Sequence, residues 1–332
     1  MTQRYSLLTL LPTLLCISLA AVALAMTLGS DGFRPTLAGQ WLAGSLGATD
    51  NTLVTTLRLP RALSAFAVGG LLSLCGVLMQ VLLRNPLADP YILGTSSGAA
   101  SAALLAMLLG ASGYALDLAA FSGACLATLI VFGIGGLRGG FRPAVLLLTG
   151  VVIATGFGAL VSLMLALSDD ATLRGMLFWL MGDFSLALHP APILSLLVVS
   201  TIAVVLLAPH LNVLAENETR AKLLGLSIVQ TRIAVLLLAS LLCAFAVTQA
   251  GSIGFVGLVV PHLMRRFTGA DHRRLVPAAM LAGGALLCVA DTLSRAILAP
   301  RQLPVGVLTA AVGVPLFLYL LKRHSQPLPH TR

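Results

Sequence analysis

Apolar residues in this chain come in blocks of about twenty, broken by short polar segments, with neither the alternation of a half-buried strand nor the one-sided stripe of a soluble helix. A segment lying in hydrocarbon must pair every backbone N–H and C=O within itself, and about 20 helical residues cross the apolar core of a bilayer. The blocks therefore predict spans at residues 7–28, 62–83, 92–109, 118–137, 143–167, 191–207, 233–249, 253–264, 275–298 and 305–321. The stretch 233–264 is one charge-free block, divided here at Gly251 and Gly254. Residues 171–181 read as a short amphipathic helix outside the membrane. The fold class is all-α, a polytopic membrane protein of about ten helices. No fixed-period repeat or low-complexity linker interrupts it, so residues 1–332 read as a single transmembrane domain with one long inner loop at about 209–232.

Composition supports this. Charged residues make up 9% of the chain, against about a quarter in a soluble domain, and the mean hydropathy is +1.01. The first apolar run follows Arg4 and ends near Ala23-Leu24-Ala25, as a secretory signal does, but it exceeds the ~7–15 residues of a cleavable core and predicts an uncleaved first helix. The five cysteines lie inside apolar blocks without paired spacing, which predicts neither disulfides nor a thiolate metal site.

The net charge of +9 acquires a direction once the spans are drawn. With ten spans and both termini in the cytoplasm, 14 of the 20 basic residues fall inside, including Arg84, Arg220, Lys222, Arg232, Arg265 and Arg266. The balance is +10 inside and −1 outside, as the positive-inside rule requires. A nine-span topology would place the arginines from Arg265 to Arg274 outside.

The chain lacks the residues of several mechanisms. It has two lysines, followed by Leu223 and Arg323, so no Gly-Lys-Ser/Thr phosphate loop is present and nucleotide energy has to come from a partner. Ion-coupled carriers place ionisable groups in mid-membrane, whereas these spans are nearly free of charge. The exception is Asp291 with Arg295, four residues apart on one helix face. That pair reads either as a proton or substrate site or as an ion pair that orients a helix end while Arg295 snorkels outward. The histidines show no metal-ligand spacing, and no nucleophile turn or carboxylate dyad is present.

The boundary segments are more specific than the spans. Arg58-Leu-Pro-Arg61 opens the second span, which ends in Gln80 and Arg84-Asn85-Pro86-Leu87-Ala88-Asp89-Pro90, followed by Gly94-Thr95-Ser96-Ser97-Gly98. Later come Phe178-Trp179-Leu180-Met181-Gly182, Gly251-Ser-Ile-Gly-Phe255-Val-Gly257 running to Pro261-His262, Gly269-Ala-Asp271-His272-Arg273, Ala290-Asp291 and Leu303-Pro304-Val-Gly306. In this order, from Arg58 to Leu321, they resemble the FecCD-type (type II) permeases of ABC importers, which carry iron–siderophore complexes, haem or cobalamin.

The resemblance implies the rest. Asn85, Pro86 and Leu87 correspond to the family's cytoplasmic gate turn; Pro86 and Pro90 by themselves force a tight turn that Asn85 can cap. The family's small polar residues at the start of the fifth span are replaced here by Pro143 and Ala144. In the inner loop, Arg220, Leu224 and Gly225 correspond to the element that couples to the ATPase. Arg58, Arg61 and Arg295 stand where the family presents basic residues to a periplasmic binding protein. The implied partners are a second permease copy, two ATPase subunits, the binding protein and the bilayer, with ATP and Mg on the ATPase and no cofactor in this chain. The implied location is the bacterial inner membrane, and the cargo stays open among iron–siderophore, haem and cobalamin. A reading from another class, an ion-gradient-driven secondary transporter, or a membrane-embedded enzyme or channel, has the empty spans against it.

Overall fold

The structure, a computed structural model, describes residues 7–137, 143–185, 187, 189–216 and 218–324. Arg4, Arg138, Arg142 and Arg332, counted in the charge balance above, lie outside these residues. Helix α1 (Leu7–Thr27) leads into a two-stranded antiparallel ribbon, β1 (Leu28–Gly29) and β2 (Gly32–Phe33), then α2 (Thr36–Leu42) and α3 (Ala48–Thr52). A π-helical turn at Leu53–Arg58 joins α3 to α4 (Leu59–Leu82) without a break. A 3-10 turn at Pro90–Leu93 precedes α5 (Thr95–Leu108), and α6 (Tyr114–Val131) ends in a second π turn, Phe132–Leu137. Next come α7 (Pro143–Leu167), α8 (Asp170–Met181), α9 (Pro190–Glu216) and α10 (Glu218–Leu223). The chain closes with α11 (Ile228–Ala250), α12 (Val256–Thr268), α13 (His272–Ala296) and α14 (Val305–His324).

Among the described residues, seven segments are long and apolar enough to cross a bilayer: α1, the continuous run Ala48–Leu82, α6 with its π turn, α7, α9, α11 and α13. The division of 233–264 falls where Gly251 and Gly254 place it, between α11 and α12. Helices α5 and α12, with 14 and 13 residues, extend only about 20 Å, short of the ~30 Å hydrocarbon core. Both start inside the bundle. The hydroxyls of Ser96 and Ser252, at the two breaks, lie 2.6 Å apart, and the Tyr91 hydroxyl donates to the Ile253 carbonyl at 3.0 Å. Broken backbone is tolerated at such depth only where protein groups pair with it, and these contacts provide that pairing.

Two boundaries differ from the sequence expectation. The second span begins at Ala48, so Arg58 and Arg61 lie within a helix instead of opening one; the π turn comes just before Pro60, which has no N–H for a regular helical ladder. The inner loop expected at 209–232 is much shorter, because α9 continues through Pro209 to Glu216 and α11 starts at Ile228.

Helix α4 is central: 89% of its apolar window is buried, against 11% for α7 at the periphery. Water gives no hydrophobic drive between helices in lipid, so close packing has to hold them together. Gly76 shows how. A Cβ there would strike the Gly257 carbonyl, so only glycine lets α12 pass this close to α4. Gly98 of α5 and Gly123 of α6 make the same kind of crossing.

Candidate functional site

The predicted residues gather at opposite ends of the bundle. At one end, Arg61 of α4 reaches across to Asp291 of α13, with Nε 3.0 Å and Nη2 2.8 Å from its carboxylate oxygens. Its Nη1 donates to Gln302 at 3.2 Å, and Asp183, in the segment after α8, lies 3.8 Å from Nη2. Arg295, one turn beyond Asp291, ion-pairs with the same carboxylate at 3.3 Å. Arg58 donates to the Met26 carbonyl at 2.9 Å and to Asp31. One guanidinium, that of Arg61, thus ties α4, α13 and two connecting segments together.

Burial changes the meaning of these arginines. Arg58, Arg61 and Arg295 are 4%, 9% and 6% exposed, and Asp291 is 1% exposed. They do not offer free charge to a docking protein, and Arg295 does not snorkel outward, because Asp31 and Asp291 hold the guanidinium groups inside the fold. Asp291 and Arg295 do pair on one helix face, but the principal partner of Asp291 is Arg61, 230 positions away in sequence. Exposed positive charge at this end belongs to Arg174 and Arg301.

At the other end, the chain leaves α4 through Arg84, whose φ of +48° is in the left-handed region. Asn85 then caps the turn. Its side-chain oxygen accepts from the Leu87 amide at 2.9 Å, and its carbonyl accepts from the Ala88 amide at 3.0 Å. Asp89 caps the following 3-10 turn through the Tyr91 amide at 2.7 Å. Pro86 is exposed, while Asn85 and Leu87 are half-buried. Beside the turn is a cavity of about 170 Å³ lined by Gln80, Arg84, Pro86, Ala215 and Arg265. Helix α7 meets this segment at Gly150, where a Cβ would strike the Ile92 carbonyl, instead of at Pro143 and Ala144.

Next to it stands α10. Arg220 pairs with Glu216 at 2.5 Å, both well exposed, and the helix stops at Gly225, φ +76°, whose amide donates to Lys222 while that of Leu226 donates to Ala221. Ala221 is fully buried, but Leu223 and Leu224 are 83% and 65% exposed. Two leucines at a helix end, flanked by Arg220 and Lys222, form an apolar knob in a polar collar. Behind it, Asn212 of α9 grips the turn before α13: its amide donates to Asp271 at 2.9 Å and its oxygen accepts from the His272 amide at 2.9 Å. Burial works against the Asp271 charge, but the Asn212 and Arg273 donors and the Arg273 and Arg274 charges hold the carboxyl below its ordinary range.

Sequence reasoning missed Asp183, Gln302, Asp31, Asn212 and the Ser96–Ser252 contact. Asp183 directly follows the Phe178–Gly182 motif, so proximity to a motif was a usable signal there. The others are single polar residues whose partners lie in distant segments.

Apolar segments long enough to cross a bilayer, with two half-length helices meeting inside, make this a membrane-spanning helical bundle. The FecCD transport family matches residues 15–323, and the chain belongs to that family. It is 39% identical over 298 residues to the ABC transporter permease protein YvrB of Bacillus subtilis, covering 86% of this chain and 84% of YvrB. It is 41% identical over 278 residues to the hemin transport system permease protein HmuU of Yersinia pestis, covering 81% and 83%. The cobalamin import system permease BtuC of Halobacterium salinarum is 40% identical over 281 residues, covering 82% and 74%. A solved metal-chelate type ABC transporter in an inward-facing conformation superposes with a TM-score of 0.83 at 31% identity, covering 96% of this chain and 100% of that one. The protein is therefore a multi-pass permease subunit of an ABC importer and not an enzyme. Such permeases work with separate ATPase subunits and a substrate-binding protein.

Proposed function

We propose that this permease moves a metal chelate, an iron–siderophore complex or haem, from the periplasm to the cytoplasm by alternating access, as half of a homodimer with two ATPase subunits that hold ATP and Mg. The single observation that carries the mechanism is the exposed Leu223–Leu224 knob on α10, an apolar surface that water disfavours and a groove of an ATPase would cover. ATP-driven closure of the ATPase pair would move α10, and Asn212 would pass that displacement to α13. Asn85, Pro86 and Leu87 act as the gate at this cytoplasmic end, where both termini lie. At the periplasmic end, Arg58, Arg61 and Arg295 serve docking by holding the rim in shape, and Arg174 and Arg301 supply the charge that meets acidic residues of the binding protein.

Support for the cargo class comes from the haem permease among the relatives and from the metal-chelate type structure. Cobalamin is the second reading, favoured by the BtuC relatives. The test is reconstitution of the permease with its ATPase and binding protein in vesicles, followed by uptake of a ferric siderophore, haem and cobalamin in parallel. ATP-dependent uptake of an iron chelate is expected. Uptake of cobalamin alone would replace the cargo, and uptake that persists without the ATPase but collapses with the proton gradient would overturn the mechanism.

A further inference from the structure

At the Arg61 end two adjoining hollows open: one of about 610 Å³ between α6, α8 and α11, reaching Asp183 at the edge of the arginine cluster, and one of about 770 Å³ between α6, α9 and α11. They share Asp117, His189, Thr248 and Gln249 at their polar side. The second hollow continues to the rings of Phe121 and Phe245, tilted 50° to one another with centroids 4.9 Å apart. Among the described residues, no lysine or arginine lines either hollow, and the Asp117 carboxylate has no hydrogen-bond or ion-pair partner. Thr248, 8% exposed, has a buried hydroxyl without a partner.

The surroundings identify the kind of ligand. The walls are flanked by faces that water would not tolerate: Leu118 on α6 is 66% exposed, and Val198, Val199 and Ile202 on α9 are 57%, 65% and 56% exposed. The cleft therefore opens sideways into hydrocarbon, and its occupant has to be an amphiphile. We propose that it is a binding site for a phospholipid with a primary ammonium headgroup, phosphatidylethanolamine. The ammonium pairs with Asp117, the donors of His189 and Gln249 receive the phosphate, and an acyl chain lies along Phe121 and Phe245. With the unpaired Asp117, the Asp183 carboxylate that lies 3.8 Å from Arg61, and no basic side chain in its lining, the cleft disfavours an anionic lipid. This assignment depends on neither the cargo nor the coupling reading.

The full chain, copurified with its ATPase in detergent and stripped of lipid, would be offered equal amounts of dioleoyl phosphatidylethanolamine and phosphatidylglycerol, with the retained lipid read by native mass spectrometry. Retention of the ethanolamine lipid over the glycerol lipid by about fivefold is expected, the size of one partly exposed ion pair. Asp117→Asn should bring the two to parity and Asp117→Glu should keep the preference, while Phe121→Ala lowers both without changing their ratio. Equal retention by the unaltered chain, a preference for phosphatidylglycerol, or a preference that survives Asp117→Asn would overturn the site. Where the asparagine variant does not purify, the ratio on the unaltered chain decides alone.

Discussion

The two ends of the bundle put their charges to opposite uses. At the Arg61 end, Arg58, Arg61, Arg295 and Asp291 are buried, and ion pairs join residues far apart in sequence. At the Asn85 end, the bonds that shape the turn and α10 are short-range, Asn85 to Leu87, Asp89 to Tyr91 and Arg220 to Glu216, while Arg84 to Leu214 and Asn212 to Asp271 link the neighbouring helices. Long-range bonds make the first end rigid, whereas local bonds let a turn or a short helix move as a unit without tearing the core. For a machine that must hold one rim and move the other, that difference in bonding range matters more than the count of charges.

Breaking the clamp should have the largest effect. Asp291→Ala leaves two buried guanidinium groups sharing no carboxylate, and should cost about 3–5 kcal/mol, read as a large fall in the thermal unfolding midpoint in detergent; a midpoint within a degree of the parent would mean that the cluster is not a clamp. Next is the double change Leu223→Asp and Leu224→Asp. It should leave the midpoint unchanged yet weaken association with the ATPase by about 2 kcal/mol or more, measured by copurification and by loss of stimulated hydrolysis. A smaller effect is expected for Asn85→Ala, which removes one side-chain bond worth about 1 kcal/mol. Its signature is hydrolysis poorly matched to uptake in vesicles, with near-normal assembly. Arg220→Ala, at an exposed helical pair, should change stability by less than about 1 kcal/mol, so a marked fall in the midpoint would show that α10 is not the locally held element described here.

Most of the helices were legible because each is a local object: twenty apolar residues between polar breaks must become a helix in lipid whatever surrounds them. Divisions at Gly251 and Gly254 and the turn at Asn85-Pro86 were legible for the same reason, since glycine and proline act on their own backbone. The short α12 was expected at 253–264, but α5 was drawn longer, at 92–109, because an apolar block does not reveal where in the bilayer it begins. Pro209 misled in the same way. It signals a helix end locally, but α9 packs through it. The burial of Arg58, Arg61 and Arg295 was not legible for a different reason: an arginine at a helix end looks the same in sequence whether it faces water or a carboxylate, and Asp291, Asp31 and Asp183 are too far along the chain to be assigned as partners from spacing.

The sequence by itself determined that the protein lies in the membrane, that it carries no ATPase loop of its own, and the family to which its ordered loop motifs belong. Those properties follow from composition and short-range backbone chemistry. Only the tertiary structure decided that Arg61 answers Asp291, that Ser96 meets Ser252 inside the bundle, that Leu223 and Leu224 are left uncovered, and that Asp117 and Thr248 line one cleft. Each of these depends on which helices lie side by side, and that is set by the close approach at glycines such as Gly76 and Gly98, not by the hydrophobic pattern that made the helices.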